Sequence, residues 1–259
     1  MERKQVAVSQ SLMKSLSDYN QGKECGLVLK AKFLESNWGQ SSDAMKLGQF
    51  FEYRATGQLP KSGEVPLPKL TAKGEYSAEY QRALMSAEYA KVIFKAMDIQ
   101  IITTGERIHF RDAVGDLDIR GFFRNRPVVI DLKYSGLLDD KWNEIGWNVD
   151  TLSEKDRLLI QPNHYLYLAN NYYGVEHDFY FMLFSTQNPM DVRIIQIIID
   201  PIKKMKHIED IKVVKKKFEY MIDNDDFKPR GSLLKCSECF LNETCPSRVL
   251  LPQIQTVYY

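Results

Sequence analysis

Nothing in the 259-residue sequence approaches the ~20 consecutive apolar residues of a membrane span. The start, MERKQVAVSQSLMKSL, lacks an apolar stretch of signal-peptide length. The expected setting is intracellular and cytoplasmic, with no membrane partner. A surplus of charge is missing too: 35 basic and 34 acidic residues leave a formal +1. A nucleic-acid binder so balanced has to separate its charges in space. The G-x4-GK[ST] phosphate loop is absent, so any helicase motor would have to be a separate protein. Without internal repeats or low-complexity linkers, the chain reads as one domain over 1–259. Cysteine is scarce, at four residues. In a reducing compartment such thiols tend to be free, catalytic or metal-bound rather than disulfide-paired.

What is present supports a packed core: 44% of residues are hydrophobic and 12% aromatic, which argues against dominant disorder. Residues 1–98 read mainly as helix. SQSLMKSLSDYNQG carries Leu12, Leu16 and Tyr19 at helical spacing, with Gly22 to close it. SDAMKLGQFFEYRATG repeats the pattern between Ser42 or Asp43 as N-cap and Gly57 as stop. The loop GQLPKSGEVPLPKL precedes a long amphipathic helix over EYSAEYQRALMSAEYAKVIFKAMD. Over 99–200 the period shifts to strands: IQIITTG, RIHFRD, GDLDIRGFF, PVVIDLKYS, DFYFMLFST and VRIIQIIID. QPNHYLYLANNYYG interrupts them as a helix opened by Pro162 and ended near Gly174. Residues 201–259 give a lysine-rich helix and a loop holding three cysteines. The class is α/β (α+β), a mixed sheet flanked by helices.

Three acids and a lysine stand out on the apparent hairpin GDLDIRGFFRNRPVVIDLKYSG. Asp131 and Lys133 are two apart on one strand, hence on one face roughly 6–7 Å apart. A neighbouring strand carrying Asp118 brings a second carboxylate to the same place. Two carboxylates and a backbone carbonyl, that of Leu132, make an oxygen-rich half-shell suited to Mg²⁺ or Mn²⁺. A lysine beside it can orient water and offset charge on a phosphorus. The plainer reading is an Asp–Lys surface pair on an edge strand. Asp116 shares the strand parity of Asp118 and competes for its role.

The pattern resembles the PD-(D/E)XK nuclease superfamily, in its RecB-type exonuclease branch: a G-x-x-D strand, an apolar strand ending in D-x-K, then a helix with Q-x-x-x-Y. Here these are Gly115 to Asp118, Asp131 to Lys133, and Gln161 to Tyr165. The resemblance implies that Gln161 and Tyr165 line the site, contacting DNA or steering a metal-bound water. It also implies that Glu52, four residues after Gly48 on an early helix, is a further metal ligand. KCSECFLNETCPSR supplies Cys236, Cys239 and Cys245, and Cys25 lies far upstream. One early and three late cysteines resemble the iron–sulfur members of that branch, the AddB nuclease domain and the CRISPR-associated spacer-acquisition nuclease. There such a set clamps a 4Fe–4S cluster. Four thiolates suit tetrahedral Zn²⁺ equally well.

The implied function is a metal-dependent deoxyribonuclease, an exonuclease on single-stranded DNA ends. Recombination, repair, phage replication or CRISPR adaptation would be its setting, with helicase, recombinase or CRISPR adaptation proteins as possible partners. Lysines of 203–217, with Arg124 and Arg126 of the hairpin turn, would meet the DNA backbone. The rivals are a non-catalytic nuclease-like module that binds DNA or a partner, and a zinc-stabilised adaptor with no nucleic-acid role.

Overall fold

The computed structural model describes residues 6–248. Four helices come first: α1 (Gln10–Asn20), α2 (Gly26–Leu34), α3 (Asp43–Thr56) and α4 (Ala78–Ala96). Ser9 caps α1 by accepting from the Leu12 amide at 3.1 Å, and Ser42 caps α3 from Met45 at 3.2 Å. Gly57, at φ +78°, ends α3 in the left-handed conformation that a glycine enters without a Cβ clash. Then come β1 (Gln100–Phe110), β2 (Ala113–Phe123), β3 (Arg126–Ser135), α5 (Val149–Leu152) and α6 (Asp156–Tyr173). The chain ends in β4 (Asp178–Ser185), β5 (Val192–Ile197), α7 (Pro201–Asp223) and α8 (Leu233–Ser237). Among the described residues no helix is long and apolar enough to cross a membrane.

The strands form one mixed sheet in the order β1-β2-β3-β4-β5. β1, β2 and β3 pair antiparallel, and so do β4 and β5. β3 and β4 run parallel, joined by the α5–α6 crossover. At the β2–β3 turn Arg124 and Asn125 have φ of +51° and +61°, the positive pair a two-residue hairpin turn needs. One face of the sheet packs Leu117, Val129, Phe181 and Leu183 against Leu168 of α6 and Met13 of α1. The other packs Ile119, Ile130, Leu132 and Phe184 against Phe51 of α3 and Ala87 of α4. A third cluster joins α1, α2 and α7 through Leu12, Leu29 and Phe218.

Four expectations need correction. The runs IQIITTG and RIHFRD are a single strand, because Gly105 at φ +62° kinks β1 without ending it. Pro162 does not open its helix: α6 starts at Asp156 and Pro162 lies inside. The helix loses one bond to the Leu158 carbonyl there and continues. The cysteine-rich segment is not all loop, since Cys236 sits on α8. Finally, Asp131 belongs to no edge strand. β3 is the middle strand of five, and Asp131 is 0% exposed.

Behind the sheet, α6 and α7 are tied by a buried histidine pair, with His164 Nδ1 3.2 Å from His207 Nε2. His164 Nε2 is 3.0 Å from the Val114 carbonyl of β2 and donates to it. Burial pushes His164 down to about 4. Burial, then the facing His164, pushes His207 down to about 3. Both folded values lie below the ordinary ~6.5, so the unfolded chain takes up protons first as pH falls. Stability should decline from about pH 6.5 towards 4, by ~1.4 kcal/mol per pH unit for each histidine. Glu52, raised to about 7, gives an opposing slope over part of this range. The readout is therefore a difference: chemical denaturation between pH 7 and 5 should show a shallower loss for His207→Gln than for wild type. An identical slope would contradict the assignment.

Candidate active site at a fork between two strands

β2 and β3 are paired from Phe123–Arg126 back to Ile119–Ile130, and the ladder stops there. The remainder of β2 stays with β1, and the rest of β3 stays with β4. The two strands therefore fork one residue beyond Ile119 and Ile130, at Asp118 and Asp131. The pleat changes at the same point. A Cβ on Gly115 would meet Leu168 of α6 at 2.7 Å, so that residue faces α6, as Leu117 does. Ile119, two residues on from Leu117, faces the α3–α4 layer instead. An uninterrupted strand would keep both on one face. The break lies opposite Gly105. At Gly115 the Leu168 side chain and the Tyr165 ring pack close, where a Cβ would displace them.

The fork leaves backbone groups without ladder partners, and side chains take them up. Asp118 Oδ2 accepts from the Leu132 amide at 3.1 Å. Since N–H and C=O of one strand residue project to the same side, the Leu132 carbonyl also looks towards Asp118. Asp131 Oδ1 accepts from Gln161 Nε2 of α6 at 2.5 Å. Asp131 Oδ2 is ion-paired with the Lys133 ammonium, yet it is buried and accepts no well-aligned hydrogen bond. Such an oxygen is costly in a protein interior unless a cation meets it, and here the Lys133 ammonium does.

The electrostatics report crowding of like charge. Burial, then Asp131 and Glu52, raises the Asp118 carboxyl well above the usual range. Burial is also the main cause that lifts Glu52 to about 7; Asp131 adds to it and Lys133 opposes it. Lys133 is the reverse case. Burial disfavours its charge, but Asp131 and Asp118 outweigh that and hold it above the ordinary lysine value. Tyr165 is pushed well up by burial and the two aspartates, with Gln161 hydrogen-bonded to it. The fork thus brings Asp118, Asp131, Lys133, Glu52, Gln161 and Tyr165 into one neighbourhood. Asp116 is held elsewhere, by Arg107 at 3.0 Å and Lys61 at 2.7 Å.

One residue escaped sequence reasoning. Lys14 of α1 is brought down to about 8 by burial and then by Lys133, while Asp131 pulls the other way. It belongs to the same charge cluster. Its sequence signal was faint: a lysine flanked by Leu12, Met13, Ser15 and Leu16, all of them buried.

Among the described residues, no three His, Cys, Asp or Glu side chains stand in ligating geometry as they are. At the fork the reason is visible: Lys133 and the Leu132 amide occupy the carboxylate oxygens. Several basic residues expected to meet a nucleic-acid backbone are ion-paired with acids of the chain at or near its surface. Arg126 pairs with Asp178 at 3.0 Å, Lys204 with Glu176 at 3.3 Å and Lys215 with Asp112 at 2.5 Å.

The four cysteines, 220 residues apart at the extremes, line one cavity of about 470 Å³. No two are joined by a disulfide. Cys25 is the N-cap of α2 and makes no side-chain capping hydrogen bond. Gly26 lets the returning chain lie against that helix end, since a Cβ there would be 2.6 Å from the Lys228 carbonyl oxygen. Arg230 N donates to Cys25 Sγ at 3.3 Å, and Leu241 N to Cys239 Sγ at 3.4 Å.

No family model and no curated protein matches the chain. Solved structures do. A candidate exonuclease from Eubacterium rectale superposes with a TM-score of 0.63 at 18% identity, covering 98% of this chain and 92% of that one. A phage-related exonuclease from Haemophilus somnus 129PT gives 0.43 at 15% identity, over 85% of this chain and 96% of its own. The first likeness shows a shared fold, a mixed sheet flanked by helices.

Proposed function

We propose that the protein is a metal-dependent deoxyribonuclease of PD-(D/E)XK type, acting as an exonuclease on single-stranded DNA ends. One observation carries the reading: the fork gathers three carboxyls, two of them raised in pKa, around a lysine whose ammonium is ion-paired with the buried Asp131. A chain relieved of catalysis gains nothing from that crowding, which raises two of the carboxyl pKa values. The fold shared with an exonuclease-named protein supports it.

The donor set suits a hard cation: Asp118, Asp131, Glu52 and the Leu132 carbonyl are all oxygen ligands. Mg²⁺ or Mn²⁺, when bound there, would activate water and stabilise charge at the scissile phosphate. A cation held at Asp131 Oδ2 would take the place of the Lys133 ammonium now paired there. Lys133 would be left to orient the attacking water and meet negative charge growing on phosphorus. Gln161 fixes the Asp131 carboxylate, and Tyr165 walls the site on the α6 side. The reading treats the whole chain as one nuclease domain, with a 4Fe–4S cluster, or Zn²⁺ in its place, held by Cys25, Cys236, Cys239 and Cys245.

The test is degradation of end-labelled single- and double-stranded DNA with Mg²⁺ or Mn²⁺. Wild type should shorten single strands from their ends. Lys133→Ala should be slower by about 10²-fold, the usual size of losing one transition-state donor. Unchanged degradation by Lys133→Ala would remove this site. Absence of cleavage by metal-loaded wild type would promote the non-catalytic module.

A further inference from the structure

The loop between Ser135 and Asn148 joins the two elements that build the fork: β3, bearing Asp131 and Lys133, and the α5–α6 segment, bearing Gln161 and Tyr165. At its tip Trp142 is 94% exposed, whereas Trp147 at its base is buried at 5% and packs on Phe181. Large apolar side chains are seldom left this bare without a use, because the indole forfeits the transfer energy of nearly its whole surface.

The loop is not slack. Asp140 Oδ1 accepts from the amides of Trp142 at 2.8 Å and Asn143 at 2.9 Å. Trp147 N donates to the Leu137 carbonyl at 2.9 Å, closing the base. Lys155 Nζ reaches into the loop and donates to the carbonyls of Asp140 at 3.1 Å and Gly146 at 2.6 Å. Gly146 allows that closure, since a Cβ there would lie 2.3 Å from the Asp140 carbonyl oxygen. Arg193 of β5 clamps the start through the Leu138 carbonyl at 2.8 Å. A pinned backbone therefore presents a rigid aromatic plane at low entropic cost.

The charge around it is balanced by pairing. Each acid of the loop is engaged: Asp139 with Arg193 at 2.8 Å, Glu144 with Lys23 at 3.2 Å, and Asp140 with the loop amides. Those amides hold Asp140 below the usual carboxylate range. Lys141, next to Trp142, reaches Asp150 at 3.4 Å and is half-exposed.

We infer that Trp142 is a stacking platform for an unpaired base of the strand that enters the fork. The inference rests on the nuclease reading and deepens it, because a duplex hides its base faces and a single strand offers them. Stacking is sequence-tolerant, so the platform would favour single strands over duplex without selecting among sequences.

The experiment measures binding of fluorescein-labelled oligodeoxynucleotides, single-stranded and blunt duplex, by anisotropy in EDTA, where cleavage is silent. Trp142→Ala should weaken single-strand binding by about tenfold and leave duplex binding within about twofold. Wild type should lose indole fluorescence on binding single strands, and Trp142→Phe should restore most of the affinity without that quenching. Equal single-strand affinity in wild type and Trp142→Ala, with wild type still cleaving, would overturn the platform alone. Equal losses on single strand and duplex would also overturn it, pointing to a structural role. If wild type neither binds nor cleaves any oligonucleotide, the nuclease reading falls and the inference with it.

Discussion

Asp118→Asn should yield a protein that melts higher and no longer cuts DNA. The amide keeps the shape of the carboxylate and can still accept from the Leu132 N–H, so the fork stays capped. What disappears is a charge held near Asp131 and Glu52 in a buried setting, whose cost shows as the raised Asp118 pKa. The sign follows from linkage: a carboxyl with a folded pKa above its unfolded value is destabilising once pH rises past the unfolded value. At neutral pH, removing the charge relieves the fold. An increase of about 2–4 °C in Tm, the shift that ~1 kcal/mol gives in a chain of this size, is the expected outcome. Cleavage should fall by about 10³-fold or more, since on the proposed reading the metal loses a ligand. Mg²⁺ should raise the Tm of wild type and not of the variant, because only a state that binds ligand is stabilised by it. Lower stability together with retained cleavage would show that Asp118 serves the fold.

The second large effect concerns the cysteines. From Gly231 to Arg248, Cys236 is the one buried residue among those whose burial is described, and Leu234 and Phe240 are exposed. A segment with so little apolar anchorage owes its place to something other than a core. Metal binding by the four thiolates would supply that, and its binding energy would be folding energy. Purified protein should be brown, with broad absorbance near ~400 nm for a 4Fe–4S cluster, or colourless with one equivalent of zinc. Stripping the metal, or Cys236→Ser, should open residues 231–248 to limited proteolysis and loosen α2, whose N-cap is Cys25. Metal-free protein with unchanged protease resistance would contradict a structural role for the thiolates.

How legible this was depended on whether a signal was local. The stop at Gly57 and an N-cap at Ser42, one of two candidates, are written in neighbouring residues, and the structure has both. The β2–β3 hairpin was legible too, but Arg126, read as part of its turn, is the first residue of β3. Pro162 misled because tertiary burial of α6 outweighs the loss of one helix bond, which propensity alone does not foresee. Gly105 looked like a turn because a glycine at positive φ marks turns and strand kinks alike. The convergence of Asp118, Asp131 and Lys133 was legible from spacing, since strand parity fixes facing. The break in parity at Leu117–Asp118 was not, for it arises only where two strands part company. Lys14 was hidden for the same reason: its neighbours in space, Lys133 and Asp131, lie over a hundred residues away in the chain.

The most direct measurement is a crystal structure of the protein grown with Mn²⁺, with the anomalous signal of the metal recorded. The account predicts a peak in the fork within ligand distance of Asp118 and Asp131, with Lys133 swung off Asp131 Oδ2. A DNA-cleaving protein whose Mn²⁺ sits elsewhere, with Lys133 still on Asp131, would contradict it.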